Sequence, residues 1–95
     1  MIVNRRTNIV KTGRMDELLA LVTAERERGD GTFRIYVSNI GPYDTVAFEF
    51  EFESLAEYEA FWSEWFATPE GGAFMEKWND LVKPGGANEI WNLVE

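Results

Sequence analysis

From Val46 to Glu53 the chain alternates between apolar and small or acidic residues, reading Val-Ala-Phe-Glu-Phe-Glu-Phe-Glu. A period of two belongs to a strand whose two faces differ. Burying each large apolar side chain contributes roughly 1.5–3 kcal/mol, so the face of Val46, Phe48, Phe50 and Phe52 requires a cover. Lone buried carboxylates are too costly, so the face of Glu49, Glu51 and Glu53 must stay wet or meet cations. The rest of the chain is read as supplying those two surroundings.

At 95 residues the chain makes a single domain, residues 1–95, near the low end for a self-sufficient core. An apolar content of 45% argues for a folded globule. Nine basic against 17 acidic residues leave a net charge of −8. That balance excludes nucleic acid as the expected partner and disfavours anionic membrane surfaces. There is no cysteine and no histidine, which removes the thiol nucleophile, the disulfide and the commonest transition-metal ligand. No metal site and no cofactor are expected. The start Met1-Ile2-Val3-Asn4-Arg5-Arg6 lacks a signal-like apolar run and no window approaches a membrane span, so the expected location is cytoplasmic.

Ile2 to Val10 reads as a first strand, with Val3, Thr7 and Ile9 on one face, Arg5 a misfit among them, and Asn4, Arg6 and Asn8 on the other. Met15, Leu18, Leu19 and Val22 then recur at helical spacing, and Gly29-Asp30-Gly31 stops that helix. No helix start follows those glycines, so they make no phosphate loop. Thr32 to Ile40 is a second strand, turned by a four-residue loop, Gly41-Pro42-Tyr43-Asp44. That loop sets Val37 against Phe48, Ile35 against Phe50 and Phe33 against Phe52, with Tyr36 meeting Glu49 and Arg34 meeting Glu51. Ser54-Leu55-Ala56-Glu57 is a capping box opening the second helix. Thr68-Pro69 restarts a helix, the Gly71-Gly72 pair follows, and Pro84-Gly85-Gly86 ends it. Asn88 to Val94 is the last strand.

Strand, helix, strand, strand, broken helix, strand is the β-α-β-β-α-β order. With right-handed crossovers it makes a ferredoxin-like α+β domain: a four-stranded antiparallel sheet of order 4-1-3-2 with both helices on one face. Helices cover the phenylalanine face, and nothing in the chain is left to cover the other. That bare face is expected to carry Asn4, Arg6, Asn8, Arg34, Tyr36, Ser38, Ala47, Glu49 and Glu51. It is either a solvated face stitched by Arg34–Glu51 and Arg6–Glu49 pairs, or a surface that packs against a second copy.

Several segments resemble the NIPSNAP family of dimeric α/β-barrel proteins: Arg6-Thr7, Lys11-Thr12-Gly13-Arg14-Met15, Ile40-Gly41-Pro42, and Phe52-Glu53-Ser54-Leu55-Ala56-Glu57. Asn4 and Asn8 stand where the family pattern has an acidic residue and a tyrosine beside the first-strand arginine. The resemblance implies a homodimer through the sheet faces, closing a barrel with a cavity between sheet and helices. Relatives with this barrel include cofactor-free monooxygenases and haem-degrading enzymes, so the fold does not choose a function.

Glu49 and Glu51 can be read as paired carboxylates for acid–base work, or as charges neutralised by Arg34 and Arg6 at a dimer interface; the second is the simpler reading. Trp62, Trp65, Phe66, Phe74 and Trp78 are core at these spacings, or line a pocket for a flat apolar ligand. Gly71-Gly72 either frees a lid or lets two helical pieces approach. Two functions follow. One is a non-enzymatic barrel binding a small hydrophobic or aromatic ligand or serving as an interaction module. The other is a cofactor-independent oxygenase or isomerase acting on an aromatic or enolisable substrate, with Tyr36 or a glutamate as base and Arg6 or Arg34 holding an anionic oxygen. The absence of histidine favours the first. No catalytic residue is assigned. The ligand-binding candidates are Arg6, the family-matched anchor, with Tyr36, Glu49, Trp62 and Trp65, and the opening is expected beside the Pro69 to Gly72 break.

Overall fold

The computed structural model describes residues 1–29 and 32–95. Among these residues β1 (Ile2–Val10), α1 (Met15–Arg28), β2 (Arg34–Val37), β3 (Thr45–Phe52), α2 (Leu55–Ala67), α3 (Pro69–Leu81) and β4 (Val82–Asn92) follow in order. The strands pair antiparallel as one four-stranded sheet, β2-β3-β1-β4, which is the expected ferredoxin-like order read from the other edge. No helix among the described residues is long and apolar enough to cross a membrane.

Local chemistry explains the helix ends. Gly29 closes α1 by donating its N–H to Glu25 O at 3.0 Å; Asp30 and Gly31, the rest of the expected stop, lie outside the described residues. Ser54 Oγ accepts from Glu57 N at 3.2 Å, and the Glu57 carboxylate accepts from Glu53 N at 2.6 Å, a capping box displaced by one residue. Thr68 Oγ1 accepts from Gly71 N at 3.0 Å with Pro69 in the first turn, so α3 begins directly where α2 stops. The Gly71 position is explained by close approach: a Cβ there would collide with the Trp65 carbonyl oxygen. The core, Val10, Leu18, Val22, Val46, Phe48 and Leu81, lies where α1 and α3 cover β1 and β3, with Phe33, Phe74 and Trp78 packed against it.

Three expectations are corrected. The faces of β1 are reversed. Asn4, Arg6 and Asn8 pair with Phe50, Phe48 and Val46 and therefore share the helix-covered face, whereas Arg5 stands opposite Glu49 on the open face. The reason lies at the strand's ends: Ile2 and Val10 share the parity of Asn4 and Arg6, and both are buried. The expected Arg6–Glu49 pair is accordingly Arg5–Glu49, at 3.1 Å. Second, the β2–β3 hairpin is longer. Ser38 N donates to Thr45 O, and Val37 pairs with Val46 rather than Phe48, a slip of two residues that preserves the faces. Tyr36–Glu49 and Arg34–Glu51 still meet, but as diagonal neighbours, at 3.2 and 3.9 Å. Third, Pro84-Gly85-Gly86 does not end a helix. α3 ends at Leu81, and these residues lie within β4, at a bulge where the register with β1 jumps between Thr7 and Ile9. Edge strands and bulges are where a sheet admits proline. Gly86, at φ 93°, approaches β1 so closely that a Cβ would strike the Thr7 carbonyl oxygen.

Candidate functional site

The period of two that places Ile2 and Val10 in the core carries Asn4 under α2, where it is 0% exposed. A buried amide must be satisfied, and Asn4 is. Its Nδ2 donates to Asn88 Oδ1 at 2.7 Å and to Glu89 O at 3.0 Å; its Oδ1 accepts from Trp62 Nε1 at 3.2 Å and Arg6 Nε at 3.1 Å. Three elements, β1, β4 and α2, are thereby tied to one side chain. Asn88 Nδ2 extends the network to Tyr58 OH at 3.3 Å. The Arg6 guanidinium lies over the Trp62 ring, its Cζ 4.0 Å from the centroid, a geometry that favours the cation. Asn4 and Trp62 thus fix this arginine by its Nε and its flat face, leaving the outer fork of two terminal nitrogens.

A depression of about 280 Å3 is lined by Arg6, Thr7 and Asn8 of β1 and by Gly85, Gly86, Ala87 and Asn88 of β4. It lies at the β4 bulge, not beside the Pro69 to Gly72 break. A second depression of about 200 Å3 lies between α1 and α3. There Arg14 is already paired with Glu17 at 2.7 Å and Asp80 at 3.3 Å. Among the described residues no three metal-ligating side chains converge.

The sequence candidates divide between the two faces of the sheet. Arg6 and Trp62 are brought together. Trp65 packs edge-on against Trp62 at 6.0 Å, but its Nε1 donates to Glu25 Oε1 at 3.1 Å and so bridges α2 to α1. Burial pushes the Glu25 carboxyl up, yet hydrogen bonds from Arg28 and Trp65 and the Arg28 charge outweigh it and hold the pKa below the usual range. Tyr36 and Glu49 lie on the open face, hydrogen-bonded to each other. They are not part of the Arg6 group within one chain. The aromatic stripe is largely self-packed, Trp65 on Phe74 and Phe74 on Trp78, with Trp78 on Phe48 of the core. Asn4, Tyr58 and Asn88 were missed as site residues. The sequence held no signal for Asn4, because Ile2 and Val10 on its face are matched by Val3 and Ile9 on the other.

No family model matches the chain, and no curated protein matches it. Solved structures do. A NIPSNAP family protein of unknown function from Agrobacterium tumefaciens superposes with a TM-score of 0.84 at 25% identity, over 96% of this chain and 86% of that one. An uncharacterised NIPSNAP domain protein from Burkholderia xenovorans gives 0.82 at 17% identity, over 99% and 95%. An antibiotic biosynthesis monooxygenase gives 0.74 at 17% identity, over 100% of both chains. The structural neighbours are thus of the kind the sequence motifs resemble, and they share the ferredoxin-like fold.

Proposed function

We propose that this NIPSNAP-like chain is a small-molecule-binding module whose site is the depression at Arg6, between β1 and β4. The observation that carries the reading is the half-held guanidinium. Asn4 and Trp62 orient Arg6, and among the described residues no carboxylate pairs with it. An arginine positioned beside a cavity and left unpaired suits an anionic or carbonyl oxygen of a ligand. A fluorescence screen tests this, because Trp62 touches Arg6. Ligands should perturb tryptophan emission, and Arg6→Ala should lose them while keeping its fold by circular dichroism. Hits that bind Arg6→Ala as tightly as the parent would remove the anchor role.

The proposal includes a homodimer through the open sheet face. In the single chain that face leaves Trp91 57% and Tyr36 42% exposed, beside the Arg5–Glu49 and Arg34–Glu51 pairs. Light scattering at micromolar concentration checks it; a monomer there would count against it. It also includes a cytoplasmic location, which cell fractionation checks. The oxygenase or isomerase reading needs a base and an anion holder in one cavity. Tyr36 and Glu49 lie across the sheet from Arg6. Of the two arginines only Arg34, which stands beside them on the open face and meets Glu51 at 3.9 Å, can be the anion holder of that reading within a chain.

A further inference from the structure

We infer that the depression takes a small monocarboxylate bearing a hydroxyl or keto oxygen a few carbons from its carboxyl group. This rests on the reading of Arg6 as an anchor and narrows it to one chemical class.

The carboxylate follows from the fork. With Nε given to Asn4 Oδ1 at 3.1 Å, Arg6 presents its two terminal nitrogens, the edge that receives both oxygens of a planar carboxylate. Among the described residues Arg5, Arg14, Arg28 and Arg34 each meet a carboxylate of the chain, whereas Arg6 and Arg26, the latter over the Phe33 ring, do not. In a chain with 17 acidic and 9 basic residues, Arg6 is bound instead by Asn4 and Trp62.

A single negative charge follows from the electrostatics. One guanidinium matches one anion, and a chain of net charge −8 repels a dianion more strongly than a monoanion. Inorganic phosphate and phosphate esters are disfavoured on that ground.

The second oxygen follows from the amides. Asn8 lines the depression and has no side-chain hydrogen bond among the described residues, so its amide has both a donor and an acceptor to offer. It stands two residues along the same face of β1, about 6–7 Å from Arg6 at the usual rise of a strand. Asn88 sits directly across from Arg6 in the β1–β4 register, its own amide engaged by Asn4 and Tyr58. A plain fatty or aromatic acid makes no bond to the Asn8 amide; a hydroxy or keto acid does. Gly85 and Gly86 contribute backbone rather than bulk, and about 280 Å3 is below the usual range for drug-sized ligands.

Calorimetric titration with 3-hydroxybutyrate, butyrate, 3-hydroxybutyramide and inorganic phosphate tests the class. The hydroxy acid should bind about tenfold more tightly than butyrate, and the amide and phosphate at least about tenfold more weakly than the hydroxy acid. Asn8→Ala should erase the preference for the hydroxyl and leave butyrate within about twofold. Arg6→Lys, which keeps the charge and loses the fork, should weaken both acids about tenfold; Arg6→Gln provides a second variant should the first be unstable. Butyrate binding as well as the hydroxy acid, or phosphate binding best, overturns the ligand class while the anchor stands. Acids that bind both Arg6 variants as tightly as the parent overturn the anchor itself. No binding by any of the four, with other molecules bound in an Arg6-dependent way, again overturns the class alone.

Discussion

The helix-covered face of the sheet has two halves that obey the same period and serve opposite ends. Under α1 and α3 it is dry: Val10, Leu18, Val22, Val46, Phe48 and Leu81 are all buried and apolar. Under α2 it is mixed: Phe50 and Phe52 pack on Tyr58, Phe61 and Trp62, and beside those rings Asn4, Arg6 and Asn88 form a polar group with Tyr58 and Trp62. The dry half derives its stability from apolar area. The half under α2 adds directional bonds to aromatic packing, and its polar group keeps a guanidinium whose pairing is incomplete. Stability and recognition are thus assigned to different ends of one face, which allows the site to be altered without removing the core.

The largest expected effect lies in the dry half. Phe48, 4% exposed and ringed by Phe33 and Trp78, should cost about 3–5 kcal/mol as Phe48→Ala. In a domain of ordinary marginal stability that unfolds much of the population. Urea denaturation measures it, and a loss below about 1 kcal/mol would show that the core lies elsewhere.

Asn4→Ala tests the half under α2 and should cost less, about 1–3 kcal/mol. It strands Trp62 Nε1 and Asn88 Oδ1, both of which Asn4 now satisfies. It should also weaken ligands of Arg6, because the guanidinium loses the bond that fixes its Nε. A variant as stable as the parent would mean that water or a neighbour replaces the amide readily, and the contrast between halves would fail.

Much of this division was legible in the sequence. Periodicity located the strands and helices, the capping box and Thr68-Pro69 marked the starts of α2 and α3, and the Phe-Glu alternation named the covered face of β3. The faces of β1 were not read correctly, because each face holds one arginine and no long apolar side chain fills its middle. Interior polarity made the covered face look like the open one. Each face also holds one apolar pair, Ile2 and Val10 on one and Val3 and Ile9 on the other, so apolar residues do not separate the faces in the sequence. The hairpin slipped by two because faces fix a register only modulo two; the turn itself, with Asp44 at φ 54°, sets the rest. Gly85-Gly86 resembles a helix stop, whereas its role as a bulge depends on how closely β4 passes Thr7, a tertiary fact.

The halves are joined by Trp65, which donates from α2 to Glu25 on α1. The folded-state pKa of Glu25 lies below its unfolded value, so its contribution is fully present above the ordinary carboxylate range and is lost as pH falls through the folded pKa. Comparing the parent with Glu25→Gln isolates this term from the easing of net negative charge that acid also brings. The parent's stability advantage should shrink as pH falls through the ordinary carboxylate range and below it. An advantage independent of pH would mean that the bridge holds the halves together by shape rather than charge.

The smallest effect sits at the same seam. Gly71 and Gly72 are adjacent in the first turns of α3, yet their surroundings differ: a Cβ on Gly71 meets the Trp65 carbonyl, and one on Gly72 meets nothing within 4 Å. Close approach therefore explains Gly71 alone. Gly72 lies inside α3, where glycine is less favourable than alanine by about 0.5–1 kcal/mol, and the unfolded chain loses freedom on substitution. Gly72→Ala should therefore stabilise the domain by about that amount without altering ligand binding. Had the pair served as a hinge letting α3 swing over the Arg6 site, stiffening it would slow ligand entry and exit. Stopped-flow tryptophan fluorescence distinguishes the two: unchanged rates with a raised midpoint keep the seam rigid, and slowed rates would make the two halves move against each other.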